Sequence, residues 1–141
     1  MKKGYEILTF SAKDPAFAPY RNMVVSFFLR SLKSGNDWFD AIEAETYWHI
    51  YHGVIQAILS RMETTVKLAV LPDDPETALG FSLYEGHRLH YLCVKSGIEA
   101  RRQGIGTALL PDGITHFTHL TKLGQKLWKK KYPEWKFNPF L

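Results

Sequence analysis

The sequence has little cysteine: Cys93 stands alone among 141 residues, so no intrachain disulfide can form and a reducing compartment is expected. No stretch approaches the ~20 consecutive apolar residues that a membrane-crossing helix needs, and no membrane partner is expected. Met1-Lys2-Lys3 leads into Gly4-Tyr5-Glu6 rather than into an apolar h-region, which points to a cytoplasmic protein without a secretory leader. There is no Gly-Lys-Ser/Thr, which excludes a P-loop, and the third glycine of a dinucleotide fingerprint is missing, its place taken by Leu109. The histidine pairs His49/His52 and His116/His119 are not completed by cysteines or an acidic cluster, so no metal site is expected. Repeats, low-complexity segments and linkers are also lacking. The chain is long enough for one core and too short for two, and residues 1–141 are read as a single domain.

What is present is an ordinary globular composition with a rich aromatic content. Hydrophobic residues make up 45%, charged residues 23% and aromatics 14%, including four tryptophans, which suit a filled interior or a groove. A net charge of +4 favours an anionic partner. Glu6 to Phe10 reads as a strand and Phe17 to Leu32 as a helix, with Phe17, Tyr20, Val24, Phe27, Phe28 and Leu32 on one face. A second helix is expected from about Asp40 to Met62, its apolar face made by Ile42, Ile50, Val54, Ala57, Ile58 and Met62. Thr65 to Leu71, Ala78 to Tyr84 and Leu89 to Val94 read as an antiparallel meander, with turns at 72–75 and 85–88. A short helix from about Gln103, a strand over Ile114 to Leu120, a helix over Thr121 to Lys131 and a last strand in Trp135 to Leu141 complete the order β-α-α-β-β-β-α-β-α-β. This is an α+β (mixed α/β) layout with helices over a central sheet.

The most informative segment is Arg101-Arg102-Gln103-Gly104-Ile105-Gly106-Thr107, which follows the apolar run Leu89 to Val94. A strand feeding through a basic, glycine-bearing turn into a helix makes an anion site. Glycines let phosphate oxygens approach backbone N–H groups, and the helix terminus and arginines add positive charge. The expected ligand carries a pyrophosphate.

This motif and the element order together resemble the GCN5-related N-acetyltransferase (GNAT) superfamily, whose acyl-CoA signature is Arg/Gln-x-x-Gly-x-Gly/Ala; Ala78-Leu79-Gly80-Phe81-Ser82-Leu83 is similar to that family's third strand. The tail, with Thr115-His116-Phe117-Thr118 and Phe137-Asn138-Pro139-Phe140, also resembles short bacteriophage-encoded members. The resemblance implies a GNAT-like, mostly antiparallel sheet with two splayed strands and acetyl-CoA or another acyl-CoA as the acyl donor. It implies that Arg101, Arg102, Gln103, Gly104, Ile105, Gly106 and Thr107 cradle the coenzyme pyrophosphate and that Leu92, Cys93 and Val94 pair with the pantetheine arm. The acyl group then sits between that strand and Ile114 to Leu120. Three departures stand out: a longer loop over residues 95–100, a third helix about two turns short, and Thr121, Gly124 and Trp128 where many members have Asn-x-x-Ala-x-x-x-Tyr. An indole N–H has no useful acidity, so Tyr132, one turn on, is the candidate acid toward the leaving thiolate.

The implied reaction is direct aminolysis of a thioester, which needs a base for the amine and a donor for the developing oxyanion. Base candidates are His90 and Glu85 first, then His116 or His119, which point to opposite faces of a regular strand, and Glu43, Glu45, His49 and His52 on the second helix. Cys93, inside an apolar strand, reads as packing. Two alternatives stay open. One is a binding or structural module that keeps the fold without the chemistry. The other is acyl transfer to a nucleobase, with nucleic acid held by the basic final helix (Lys122, Lys126, Lys129, Lys130 and Lys131) and by Trp128, Tyr132 and Trp135.

Overall fold

The computed structural model describes residues 4–95 and 104–141. Six strands form one sheet in chain order: β1 (Glu6–Ser11), β2 (Thr65–Leu71), β3 (Asp74–Glu85), β4 (Arg88–Val94), β5 (His116–Phe117) and β6 (Lys136–Phe137). The first four are antiparallel neighbours, whereas β5 runs parallel to both β4 and β6. The helices are α1 (Ala18–Ser34), α2 (Asp37–Asp40), α3 (Ala44–Leu59), α4 (Ile105–Leu109) and α5 (Lys122–Lys131), with a single 3-10 turn at Pro15–Phe17 before α1.

Alternation along the strands divides the apolar side chains between two faces. Val66, Leu68, Val70, Phe81, Leu83 and Tyr91 point to one face, where Phe17, Val24, Phe28, Leu32, Tyr47, Ile55 and Leu59 from the 3-10 turn, α1 and α3 close the main core. Ala69 points to the other, under Ile105 and Leu109 of α4, with Leu79, Leu92 and Val94 around them. The Ser82 hydroxyl donates to the Leu109 carbonyl at 2.7 Å and fastens the end of α4 to that face. Leu89, Ile114 and Phe117 form a third cluster with Trp128 and Trp135.

Several boundaries differ from those expected. The helix expected over 40–62 is α3 alone, shorter at both ends: α2 ends at Asp40, and Glu43 is extended (ψ 131°), so the chain turns before α3 begins at Ala44. The turn lets Phe39 fold back onto Tyr47 and Tyr51, with ring centroids 5.9 and 4.9 Å away. The buried stripe of α3 is Tyr47, Ile55, Ile58 and Leu59, while Ile50 and Met62, placed on the apolar face by spacing alone, are exposed. The strand expected over 114–120 shrinks to two residues, and the last strand likewise. Asp74 and Pro75, expected in a turn, already belong to β3. In α5, Thr121 caps the start by accepting from Gly124 N–H at 3.0 Å.

Candidate functional site: a splayed strand with a histidine cavity

The site is organised by β4. Its pairing with β3 slips by one residue: Tyr84 faces Leu89 and Leu83 faces Tyr91, leaving His90 as the extra residue of a β-bulge. In consequence His90 and Tyr91, adjacent in sequence, both reach the face covered by α1 and α3. Tyr91 stacks on Phe28 (4.1 Å, 6°) and His90 lines a cavity beside Leu32, Tyr51 and Ile58. The bulge also turns β4 away from β5. The two strands pair only at Arg88–His116 and Leu89–Phe117, and Thr118 N–H still donates to the Leu89 carbonyl at 3.1 Å. Past that point no backbone group among the described residues pairs with β4 on this side; the Thr118 hydroxyl lies 3.4 Å from the His90 carbonyl. Lys95 N–H donates to Leu79 O, so by alternation the backbone groups of Leu92 and Val94 face the open side.

On the other face, α4 starts at Gly104, whose φ of 73° lies in the left-handed region that a side chain disfavours, with open space where a Cβ would stand. Gly106 is nearly as open, its nearest neighbour being a Val94 methyl at 3.8 Å. The first-turn N–H groups of Ile105, Gly106 and Thr107 have no backbone acceptor among the described residues. Arg101, Arg102 and Gln103 lie outside the described residues.

The cavity holds about 240 Å³ between the divergent strands and the helices. Phe39, Tyr51, Val54 and Ile58 form its helical wall, and Phe137, Pro139, Phe140 and Leu141 of the tail its other side. Arg61 ties the two together by donating to the Leu141 carbonyl at 2.9 Å and to Glu85 Oε1 at 2.7 Å. His90, Thr118 and His119 supply further polar surface. Glu85 and His90 meet at 2.6 Å (Oε1 to Nε2), both almost wholly buried. Burial by itself raises the Glu85 carboxyl, but hydrogen bonds and charge from Arg61 and His90 outweigh it and hold the group below the usual carboxylate range. Burial lowers His90, against the opposing pull of Glu85. His119 is lowered to about 4, chiefly by burial and then by the neighbouring His90.

The expected site residues therefore separate into groups. Glu85 and His90 come together, and His119 joins them through Thr118. His116 does not line the cavity; its Nδ1 is bonded to its own neighbour, Thr115, at 2.8 Å. His49 and His52 are exposed and also outside the lining, where Tyr51 stands instead. Tyr132 follows the end of α5, stacked on Trp135 (4.2 Å, 13°), and is not among the residues lining the cavity. Trp128 donates its indole N–H to the Trp135 carbonyl at 2.8 Å and packs on Phe117. The Cys93 thiol is half-buried, and burial raises it. Arg61 and Thr118 have no sequence signal: one follows a helix end, the other a two-residue strand, and only the fold brings them to His90.

No family model matches the chain, and neither does any curated protein. Among solved structures, a Pyrococcus furiosus protein described as an acetyl transferase superposes with a TM-score of 0.58 over 95% of this chain and 80% of its own, at 17% identity. The chain has the GNAT fold. Two further structures lie further off. Apo YjaB from Escherichia coli aligns at 18% identity over 74% of this chain and 60% of its own, with a TM-score of 0.47. A ribosomal-protein-alanine N-acetyltransferase from Brucella melitensis aligns at 12% identity over 94% and 77%, with a TM-score of 0.44. The sheet is mostly antiparallel, as expected: β1–β4 pair antiparallel over long stretches, and the two parallel pairings, β4–β5 and β5–β6, are two residues long. No described helix is long and apolar enough to cross a membrane.

Proposed function

We propose that this protein moves an acyl group from an acyl-coenzyme A, acetyl-CoA in the simplest case, to an amine by direct attack. One observation carries the reading. A single strand, β4, has a backbone edge that no described backbone group pairs with beyond Leu89, an open glycine helix start on one face, and on the other a buried carboxylate–histidine pair whose histidine lines a cavity. The chain fits the coenzyme. Leu92 and Val94 offer N–H and C=O groups to an extended amide-bearing arm, and Gly104 and Gly106 leave room for phosphate oxygens beside the amides of Ile105, Gly106 and Thr107. Arg101, Arg102 and Gln103 precede them in sequence. The thioester supplies an activated acyl carbon; the chain's task is to orient it and to manage protons.

The amine acceptor enters the histidine cavity, where Phe39, Tyr51 and the tail aromatics exclude water from the reacting groups. An unpaired N–H on the open side of β4 is placed to stabilise a developing oxyanion. As nitrogen bonds to the acyl carbon, the carbon–sulfur bond breaks. A proton leaves nitrogen for the base, and one returns to sulfur. Tyr132 is the phenol assigned to that return, and Tyr132→Phe lowering kcat tenfold or more would support the assignment.

A second reading rests on Trp128, whose indole is committed to holding Trp135: the fold binds a partner and does no chemistry. Free thiol release from acetyl-CoA with a panel of primary amines, measured beside a thermal shift with coenzyme A, separates the two. Acyl transfer predicts both signals and their loss in Gly104→Asp with Gly106→Asp. A thermal shift without thiol release would favour the binding module, and absence of both would sink the acyl-transfer proposal.

A further inference from the structure

A continuous line of four side chains runs from buried Glu85 to the cavity, which the other three, His90, Thr118 and His119, line. Glu85 Oε1 lies 2.6 Å from His90 Nε2, His90 Nδ1 lies 2.9 Å from Thr118 Oγ1, and Thr118 Oγ1 lies 2.9 Å from His119 Nδ1. The direction of each bond follows from donor and acceptor chemistry. Glu85, bonded to Arg61 and ionised, only accepts, so His90 Nε2 carries hydrogen and donates to it. Neutral His90 then has a bare Nδ1, which accepts from the Thr118 hydroxyl. That hydroxyl has one hydrogen, and the His90 Nδ1 at 2.9 Å is a nearer acceptor than the His90 carbonyl at 3.4 Å; with the hydrogen given to Nδ1, the oxygen accepts from His119 Nδ1–H. His119 is left with its proton on Nδ1 and a lone pair on Nε2.

The side-chain bond that His119 makes is through Nδ1, to Thr118, and the ring also lies against the His90 backbone as a hydrogen-bond partner; with Nδ1–H directed at those oxygens, Nε2 is the remaining ring nitrogen. His119 is half-buried and lines the cavity, and no wholly buried side-chain nitrogen or oxygen among the described residues is without a partner, so Nε2 is not sealed in the core. Phe28 holds the ring from one side (5.2 Å, 84°) and Tyr51 from another (6.5 Å, 75°). The ring is thus fixed and aimed by packing as well as by Thr118.

We propose that His119 Nε2 is the atom that takes the acceptor's proton, and that Thr118, His90 and Glu85 form a relay that fixes its tautomer and carries the resulting charge inward. The inference rests on the acyl-transfer reading and names its base. The step balances. The amine proton bonds to His119 Nε2, the Nδ1 proton passes to Thr118 Oγ1, and the hydroxyl proton passes to His90 Nδ1. His90 ends as an imidazolium against the Glu85 carboxylate: the relay as a whole takes up the one proton that the amine gives up, and Thr118 and His119 end neutral. The transfer explains how a buried histidine beside His90 and Arg61 can act as a base: the positive charge does not stay on His119 but comes to rest beside the buried carboxylate. His119 is the catalytic residue here, while Thr118 and His90, both of whose ring nitrogens are occupied, are positioning residues.

The test combines histidine nitrogen NMR on the whole protein with steady-state kinetics for the best amine found. The expected wild-type result is hydrogen on Nδ1 in His119 and on Nε2 in His90. Thr118→Val, which removes the hydroxyl at nearly constant volume, should release the His119 tautomer and lower kcat/KM for the amine about tenfold, with KM for acyl-CoA unchanged. Thr118→Ser should restore both, and His119→Gln should cost about 10²-fold. A wild-type His119 protonated on Nε2, or a Thr118→Val protein with an unchanged tautomer and pH–rate profile, would overturn the relay. Failure of every amine would overturn the acyl-transfer reading and His119's role as base with it, while the tautomers alone would still decide whether the hydrogen-bond chain exists.

Discussion

Acid should weaken this fold through His119 before the carboxylates are neutralised. The folded ring titrates near 4, against about 6.5 for an unperturbed histidine, because burial and the adjacent His90 disfavour its charged form. Between those two values the unfolded chain binds a proton that the folded chain refuses. Stability is therefore full above about pH 6.5, falls as pH drops through the window, and levels off below about 4. Each unit of difference is worth about 1.4 kcal/mol, so the 2.5-unit gap sets an upper bound of about 3 kcal/mol for this one group. That is a large part of the 5–15 kcal/mol that holds a typical domain together. His90, lowered mainly by burial, pulls in the same direction. Glu85, held below its usual range, adds a loss only at more acid pH, as its carboxylate is protonated. The assay is urea unfolding followed by tryptophan fluorescence at half-unit steps from pH 7.5 to 4, for wild type and His119→Gln. The variant removes the titrating ring, so the difference between the two curves isolates it. Wild type should lose up to about 3 kcal/mol more than the variant across the window. Parallel curves would refute the reasoning, because they would mean that the folded ring accepts its proton as readily as the unfolded one.

Phe28→Ala should destabilise by about 3–5 kcal/mol, since the ring is wholly buried against Tyr91, Phe81 and His119; circular-dichroism melting would check it, and a loss below about 1 kcal/mol would show that the site collapses around the gap. Gly80→Ala should separate β3 from β4, because the added Cβ would stand 2.6 Å from the Cys93 carbonyl and 3.2 Å from Val94 Cα, both backbone atoms that cannot step aside. Faster amide hydrogen exchange in Leu79, Phe81 and Cys93 is the expected signature, and unchanged exchange would show that the strands absorb the methyl.

The sequence by itself determined the strand–helix alphabet wherever one period ran long enough to be unambiguous. Thr65–Leu71 matches β2 to the residue, and α1, β4 and α5 agree to within two residues, because apolar alternation or helical spacing with clear stops leaves little choice. A glycine-bearing turn leading into a helix near Gly104 was legible locally too, while its left-handed φ of 73° came only with the structure. The pairing of Glu85 with His90 was not a matter of period. Both were named as separate base candidates, but only the bulge at His90 turns one toward the other, and a bulge depends on how β4 registers against β3. The break before α3 follows likewise from where Phe39 finds its aromatic partners, and helical spacing cannot see across that turn. Thr118, Arg61 and the open nitrogen of His119 belong wholly to the tertiary structure. Hydrogen bonds between residues 24 and 28 positions apart are set by strand divergence and chain return, and no local pattern encodes them.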